Sequence, residues 1–189
     1  MKHIATVALM LNLGVAGVYA QERPVKMTFS GTSAASTINL QQPGTHTGED
    51  NFAGNGTLGA FTFRNVTAST ATPQPPSSAC SGSNQLYFLR VAGAGVFLFQ
   101  DGSLLSVNLT QGSDCIDLAV GQARCTMTFQ ITGGTGRFKN ASGSFTLTET
   151  VLPVLADASN SPVFFAATGE FTGTVSGVAA EEGRQDERQ

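Results

Sequence analysis

The 189-residue chain has no tryptophan, two histidines, three cysteines and only 12% charged residues. Each shortage removes a class of function. His46 is the only histidine beyond residue 20, and no HxH, CxxC or Gly-x-Ser-x-Gly pattern occurs. That leaves His46, with Glu49 and Asp50 nearby, as a thin start for a metal site and the only base for a serine hydrolase. The expected reading is an exposed loop histidine and no metal. Basic residues are scarce too: the formal net charge is −3, which gives no support for nucleic-acid binding. No apolar run reaches the roughly 20 residues that span a bilayer. The nearest is Ile4 to Val18. Behind Lys2 and His3 and before the small-residue end Val18-Tyr19-Ala20, it reads as a secretory signal peptide cut after Ala20. The expected organisation is therefore a signal peptide at 1–20, one domain at 21–179 and a charged, frayed tail at 180–189. The expected location is secreted or periplasmic, with no membrane span after signal removal.

A sustained 3.6-residue apolar period is also missing, so helix should be scarce. What is abundant is glycine and phenylalanine, 22 and 13 residues, together with Thr and Val, the material of short strands and tight turns. Val25, Met27 and Phe29 alternate with Lys26, Thr28 and Ser30, a half-buried antiparallel pattern. A weaker strand is expected around Ile38 and Leu40, followed by a polar loop from Gln41 to Asn51. Leu58–Val66 is a further strand. A Pro- and Ser-rich spacer from Ala68 to Asn84 cannot join a ladder. Strands are then expected at Leu86–Val91, Val96–Gln100, Leu104–Leu109, Thr126–Thr132, Ser144–Val151, Val163–Thr168 and Phe171–Val178. Asp101-Gly102 marks a hairpin. Eight to ten short strands imply a sandwich or a closed barrel, and closure is favoured because so few charges are present to guard open sheet edges.

The densest stretch is Ile131-Thr132-Gly133-Gly134-Thr135-Gly136-Arg137-Phe138-Lys139-Asn140-Ala141-Ser142-Gly143. It is not a phosphate loop. A dinucleotide fingerprint started at Gly134 meets Lys139 where glycine is required, the Gly-Lys-Ser/Thr of a P-loop is absent, and a strand follows where a helix should open. Gly133, Gly134 and Gly136 are therefore read as conformational, supplying positive φ for a reversal, with Phe138 plugging the interior. With Gly173-Thr174-Val175-Ser176-Gly177 near the end, the motif resembles the allene oxide cyclase and dirigent-like β-barrel superfamily, above all its uncharacterised bacterial secreted members. The resemblance covers Leu86 to Gly177. It implies an all-β fold, a single eight-stranded antiparallel barrel with a central cavity and the glycine motif between two strands. The catalytic residues of the plant enzymes match no positions here and are not carried over.

Three cysteines allow one internal bridge. Cys125 alternates with Met127, Phe129 and Ile131 and belongs to a core face, whereas Cys80 and Cys115 are expected in polar loops. A Cys80–Cys115 disulfide is expected, with Cys115–Cys125 as the rival. Two charges fall in phase with apolar positions: Glu149 with Phe145, Leu147 and Val151, and Arg90 with Leu86 and Phe88. If these faces point inward, the pair meets a low-dielectric cavity and must partner each other or a ligand, and a buried Glu149 could serve as proton donor or base. If they sit at strand ends, they simply reach water. Two functions follow. One is a noncatalytic secreted barrel that binds a small apolar ligand or acts as an extracellular module. The other, implied by the resemblance, is a guide for cyclisation or radical coupling in the barrel cavity. Neither calls for a cofactor.

Overall fold

The structure, a computed structural model, describes residues 21–37 and 43–179. The expected signal peptide, the weak strand around Ile38 and Leu40, and the terminal tail lie outside the described residues. Eight strands form in chain order: β1 (Arg23–Ala35), β2 (Thr45–Gly56), β3 (Phe61–Thr70), β4 (Gln85–Phe99), β5 (Leu104–Asp117), β6 (Gln122–Gly134), β7 (Ser142–Ala156) and β8 (Pro162–Ser176). Each pairs antiparallel with the next, and β8 pairs with β1, from Arg23↔Val175 to Ala34↔Phe164, to close the barrel. This is the eight-stranded antiparallel barrel that the glycine motif implied.

Several boundaries differ from the sequence reading, most because an inward glycine hides the strand; in addition the spacer expected from Ala68 starts later, since residues 68–70 pair within β3. The stretch up to Asn51, expected as loop, lies largely within β2, whose inward positions Gly48, Asp50, Phe52 and Gly54 carry one large apolar side chain among them. Leu86–Val91 and Val96–Gln100 are one strand, β4, running through Gly93 and Gly95. Val163–Thr168 and Phe171–Val178 likewise merge into β8 across Gly169. Cys115 lies on β5 rather than in a loop. Inward glycine hides the alternation, because a strand needs no side chain at a site where a neighbour's ring fills the space. The Phe63 ring would stand 2.5 Å from a Cβ on Gly95, so only glycine fits there. The spacer also makes isolated bridges, Gln74↔Tyr87 and Ser77↔Cys80.

Ten of the 13 phenylalanines are buried, and they fill one half of the lumen. Phe63 and Phe97 rings lie 4.3 Å apart, Phe29 and Phe52 stack at 4.4 Å, and Phe171 meets Phe61, Phe63 and Phe97 edge-on. Each such ring contributes about 1.5–3 kcal/mol by burial, so this half is a packed core rather than a channel.

The glycine motif closes that end. A single 3-10 turn, Gly136–Phe138, follows β6, and Phe138 is fully buried against Phe99 at 4.6 Å. Gly136 has φ +56°, whereas Gly133 and Gly134 do not need positive φ. Gly134 is required for room: a Cβ there would stand 2.5 Å from the Phe138 carbonyl oxygen. Gly133 faces open space. Arg137 binds three turns into one cap. Its Nε pairs with Asp101 Oδ2 at 2.9 Å, a guanidinium N–H donates to the Leu58 carbonyl, and the cation lies over the Phe99 and Phe138 rings at 5.1 and 4.6 Å.

Candidate functional site

Alternation carries each strand from the phenylalanine half into a different layer. Continuing towards the open end, the inward positions become Asp50 on β2, Asn65 and Thr67 on β3, Arg90 on β4, Asp114 on β5, Cys125 on β6 and Glu149 on β7. Asp50, Asn65, Thr67, Asp114 and Glu149 are all buried. Strand register puts them at one level: Asp50 is opposite Asn65, Asp114 opposite Cys125, and Cys125 opposite Glu149. Above this level, Leu86, Phe88, Ile116, Ala123, Val151, Phe165 and Ala167 line the inward face of the mouth. The layer is thus a buried ionisable level with mainly apolar inward positions on its mouth side.

Arg90 and Glu149, singled out by phase, do reach this layer, but they do not pair. Arg90 Nε lies 2.7 Å from Asp114 Oδ2 and donates to Oδ1 at 3.0 Å, while its Nη1 donates to Thr67 Oγ1. Asp114 is thus the partner of Arg90. Burial works against the Arg90 cation most strongly, yet Asp114, Cys125 and Asp50 together outweigh it and raise the guanidinium above its ordinary value. Burial pushes the Glu149 carboxyl up to about 8, helped by Asp50 and Asp114 and opposed by Arg90 and a Cys125 hydrogen bond. Asp50 is raised as well, again by burial first, with Arg90, Ser33 and Asn65 opposing. The Cys125 thiol, the free cysteine, is held well above its usual value by burial and by the two carboxylates Asp114 and Glu149.

Three polar atoms of this layer have no hydrogen-bond partner in the protein: Asp50 Oδ2, Asn65 Nδ2 and Glu149 Oε2. Asn65 Oδ1 accepts from the Asp50 backbone N–H at 3.2 Å, which fixes the amide; its NH₂ favours the charged Asp50 carboxyl without meeting full hydrogen-bond geometry. Buried polar groups are normally satisfied, so three such atoms at one level make this layer the candidate site.

The remaining sequence candidates lie elsewhere. Cys80 and Cys115 are bridged, with Cα atoms 5.5 Å apart, and tie the spacer to the outside of β5 next to Asp114. Gly133, Gly134, Gly136 and Phe138 form the cap at the far end. His46 is exposed on β2, and among the described residues no three His, Cys, Asp or Glu side chains form a metal-binding group. Asp114 was missed, and Asp50 was noted only beside His46 in an expected loop, because both alternate with glycine or stand beside polar residues; the signal for the inward direction of Asp50 was its phase with Phe52. A concavity of about 720 Å³ lies on the outer wall of β1 to β5, lined among others by Ala34, Glu49, Arg64, Ala94 and Phe164. Asp50 and Asn65, whose positions alternate inward, border this concavity as well.

No known family profile matches the sequence, and no curated protein matches it. Among solved structures, the pterocarpan synthase dirigent protein PsPTS1 is similar over 85% of this chain and 97% of its own, at 14% identity and a TM-score of 0.41. The pterocarpan synthase dirigent protein GePTS1 is similar over 89% and 98%, at 11% identity and a TM-score of 0.36. The barrel assignment rests on the strand register above.

Proposed function

We propose that the protein binds a small, largely apolar molecule in the mouth of the barrel, with its polar group down on the Asp50–Glu149 layer. The observation that carries this reading is the set of three unpartnered buried polar atoms beneath an apolar rim, the arrangement expected of a ligand pocket with a few convergent polar groups. The packed phenylalanine half restricts the guest to the mouth. The Cys80–Cys115 bridge supports residence in an oxidising compartment, in keeping with export by way of residues 1–20. A second reading, a dirigent-like or allene oxide cyclase-like guide for cyclisation, draws support from Glu149. Its carboxyl, pushed up to about 8, holds a proton at neutral pH that it could pass to a bound substrate.

Gly48 provides the test. It alternates in phase with Asp50, and an added Cβ would find only the Ala34 carbonyl at 3.5 Å and Arg90 Nη1 at 3.9 Å, so a Cβ is accommodated beside the polar layer. Titration with the neutral fluorophore N-phenylnaphthylamine should give saturable binding at one site per chain, and Gly48→Leu should abolish it while leaving thermal unfolding unchanged. Absence of saturable binding, or binding indifferent to Gly48→Leu, overturns the reading.

A further inference from the structure

We infer that the polar group this site takes is a cationic nitrogen, a protonated amine seated between the Asp50 and Glu149 carboxyls. The inference rests on the ligand-binding reading above and adds the chemistry of the head group. The groups facing the layer are Ser33 from β1, Asp50 from β2, Asn65 and Thr67 from β3, Arg90 from β4, Asp114 from β5, Cys125 from β6 and Glu149 from β7. On β8 the position opposite Glu149 is Gly169, which has no side chain to offer. Three carboxyls therefore share one guanidinium, and that guanidinium is committed to Asp114 and Thr67.

An anionic head group would find no unbalanced positive charge and would place a negative group beside three carboxyls. A neutral hydroxyl would fill valences but leave the carboxyl excess as it is. An ammonium donates to both open acceptors, Asp50 Oδ2 and Glu149 Oε2, on side chains only 3% and 5% exposed. It also supplies the charge without which two buried carboxylates cannot ionise together. Without ligand, protonation neutralises these carboxyls, as their raised affinity for protons shows. When the cation enters, a carboxyl proton leaves for solvent, so binding should be linked to proton release, about one per amine if the layer stays near neutrality.

The experiment uses the full chain with N-phenylnaphthylamine bound and displaces it at neutral pH with octylamine, octanol or octanoate. Octylamine is expected to displace the probe at concentrations at least about tenfold below octanol, a difference of about 1.4 kcal/mol, with octanoate weakest. Calorimetry of octylamine binding in phosphate and in Tris should report the released proton. Glu149→Gln and, separately, Asp50→Asn should remove the advantage of octylamine over octanol and reduce proton release. Should either variant fail to fold, the proton count on the unmodified chain decides. Equal or better displacement by octanol or octanoate, or amine binding without proton release, overturns the amine while the mouth site stands. Failure of all three while the probe binds also overturns it. Failure of the probe itself removes the site and the inference together.

Discussion

Within seven residues the inward face of β7 crosses two environments. Phe145 and Leu147 are fully buried among rings that interlock from several strands, whereas Glu149, one step further along the same face, is equally enclosed but holds an oxygen with no partner. The capped half of the barrel is over-determined: rings, the Phe138 plug and Arg137 all enforce one arrangement. The mouth half is under-satisfied, with a carboxyl excess and open valences. Burial is therefore the same on both sides of the boundary, and what separates the halves is whether the buried groups complete one another. The packed rings lie below Glu149, and the unpartnered polar atoms lie at its level.

The sharpest way to break this contrast is to empty the capped half. Phe63→Ala removes a fully buried ring from a four-ring contact, and chemical unfolding should show a loss of about 3–5 kcal/mol; a loss under about 1 kcal/mol would mean that this half is not the mechanical core. At the mouth, replacing both Cys80 and Cys115 by Ala releases a bridge across a separation of 35 residues, with an expected loss of about 3–4 kcal/mol by chain entropy. Native digestion should then cut the 71–84 spacer before the strands.

A third test uses pH. Glu149 keeps its proton in the fold up to about 8 but ionises at 4.5 when unfolded. The unfolded chain therefore loses the proton first, and the favourable contribution present below the lower value is lost as pH rises through the higher one. Urea midpoints should fall across this window, by an amount on the order of a few kcal/mol in stability, and Glu149→Gln should flatten the fall. A flat profile in the unmodified protein would place Glu149 with the satisfied half. The smallest effect separates two glycines of one motif. Gly136→Ala, at φ +56° and against Ser103, should cost about 1–3 kcal/mol, whereas Gly133→Ala, with open space around it, should stay within about 0.5 kcal/mol.

The sequence was legible where large apolar side chains do the inward packing. Val25, Met27 and Phe29 on β1, Cys125 to Ile131 on β6, and Phe145 to Val151 on β7 declare their phase, and with it the inward direction of Glu149. It was opaque where packing is done by absence. Gly48 and Gly54 on β2, Gly93 and Gly95 on β4, and Gly169 on β8 are inward positions without side chains, so β2 read as loop and two long strands read as four. The site suffered most from this. Asp50 and Asp114 belong to the same layer as Glu149, yet the residue two places before Asp50 is Gly48 and the one two places before Asp114 is Gly112, and an alternation needs two visible members. Arg90 was visible, but its partner Asp114 was not, because partnership across β4 and β5 depends on register, which a single strand's pattern does not contain.

Closure by β1 against β8 has a consequence for how the chain comes into being. Arg23 and Val175, partners in the final seam, are separated by nearly the whole domain. During synthesis, every hairpin from β1 to β7 can form while β1 still waits for its second neighbour, and the ring seals only once β8 is available. Pairings so distant in sequence are slow to form, because loop closure comes before any contact can reward it. The seam is therefore the expected late step of folding, and a chain ending before Pro162 has every inward phenylalanine except Phe171 and Phe165 but no way to shut the ring around them.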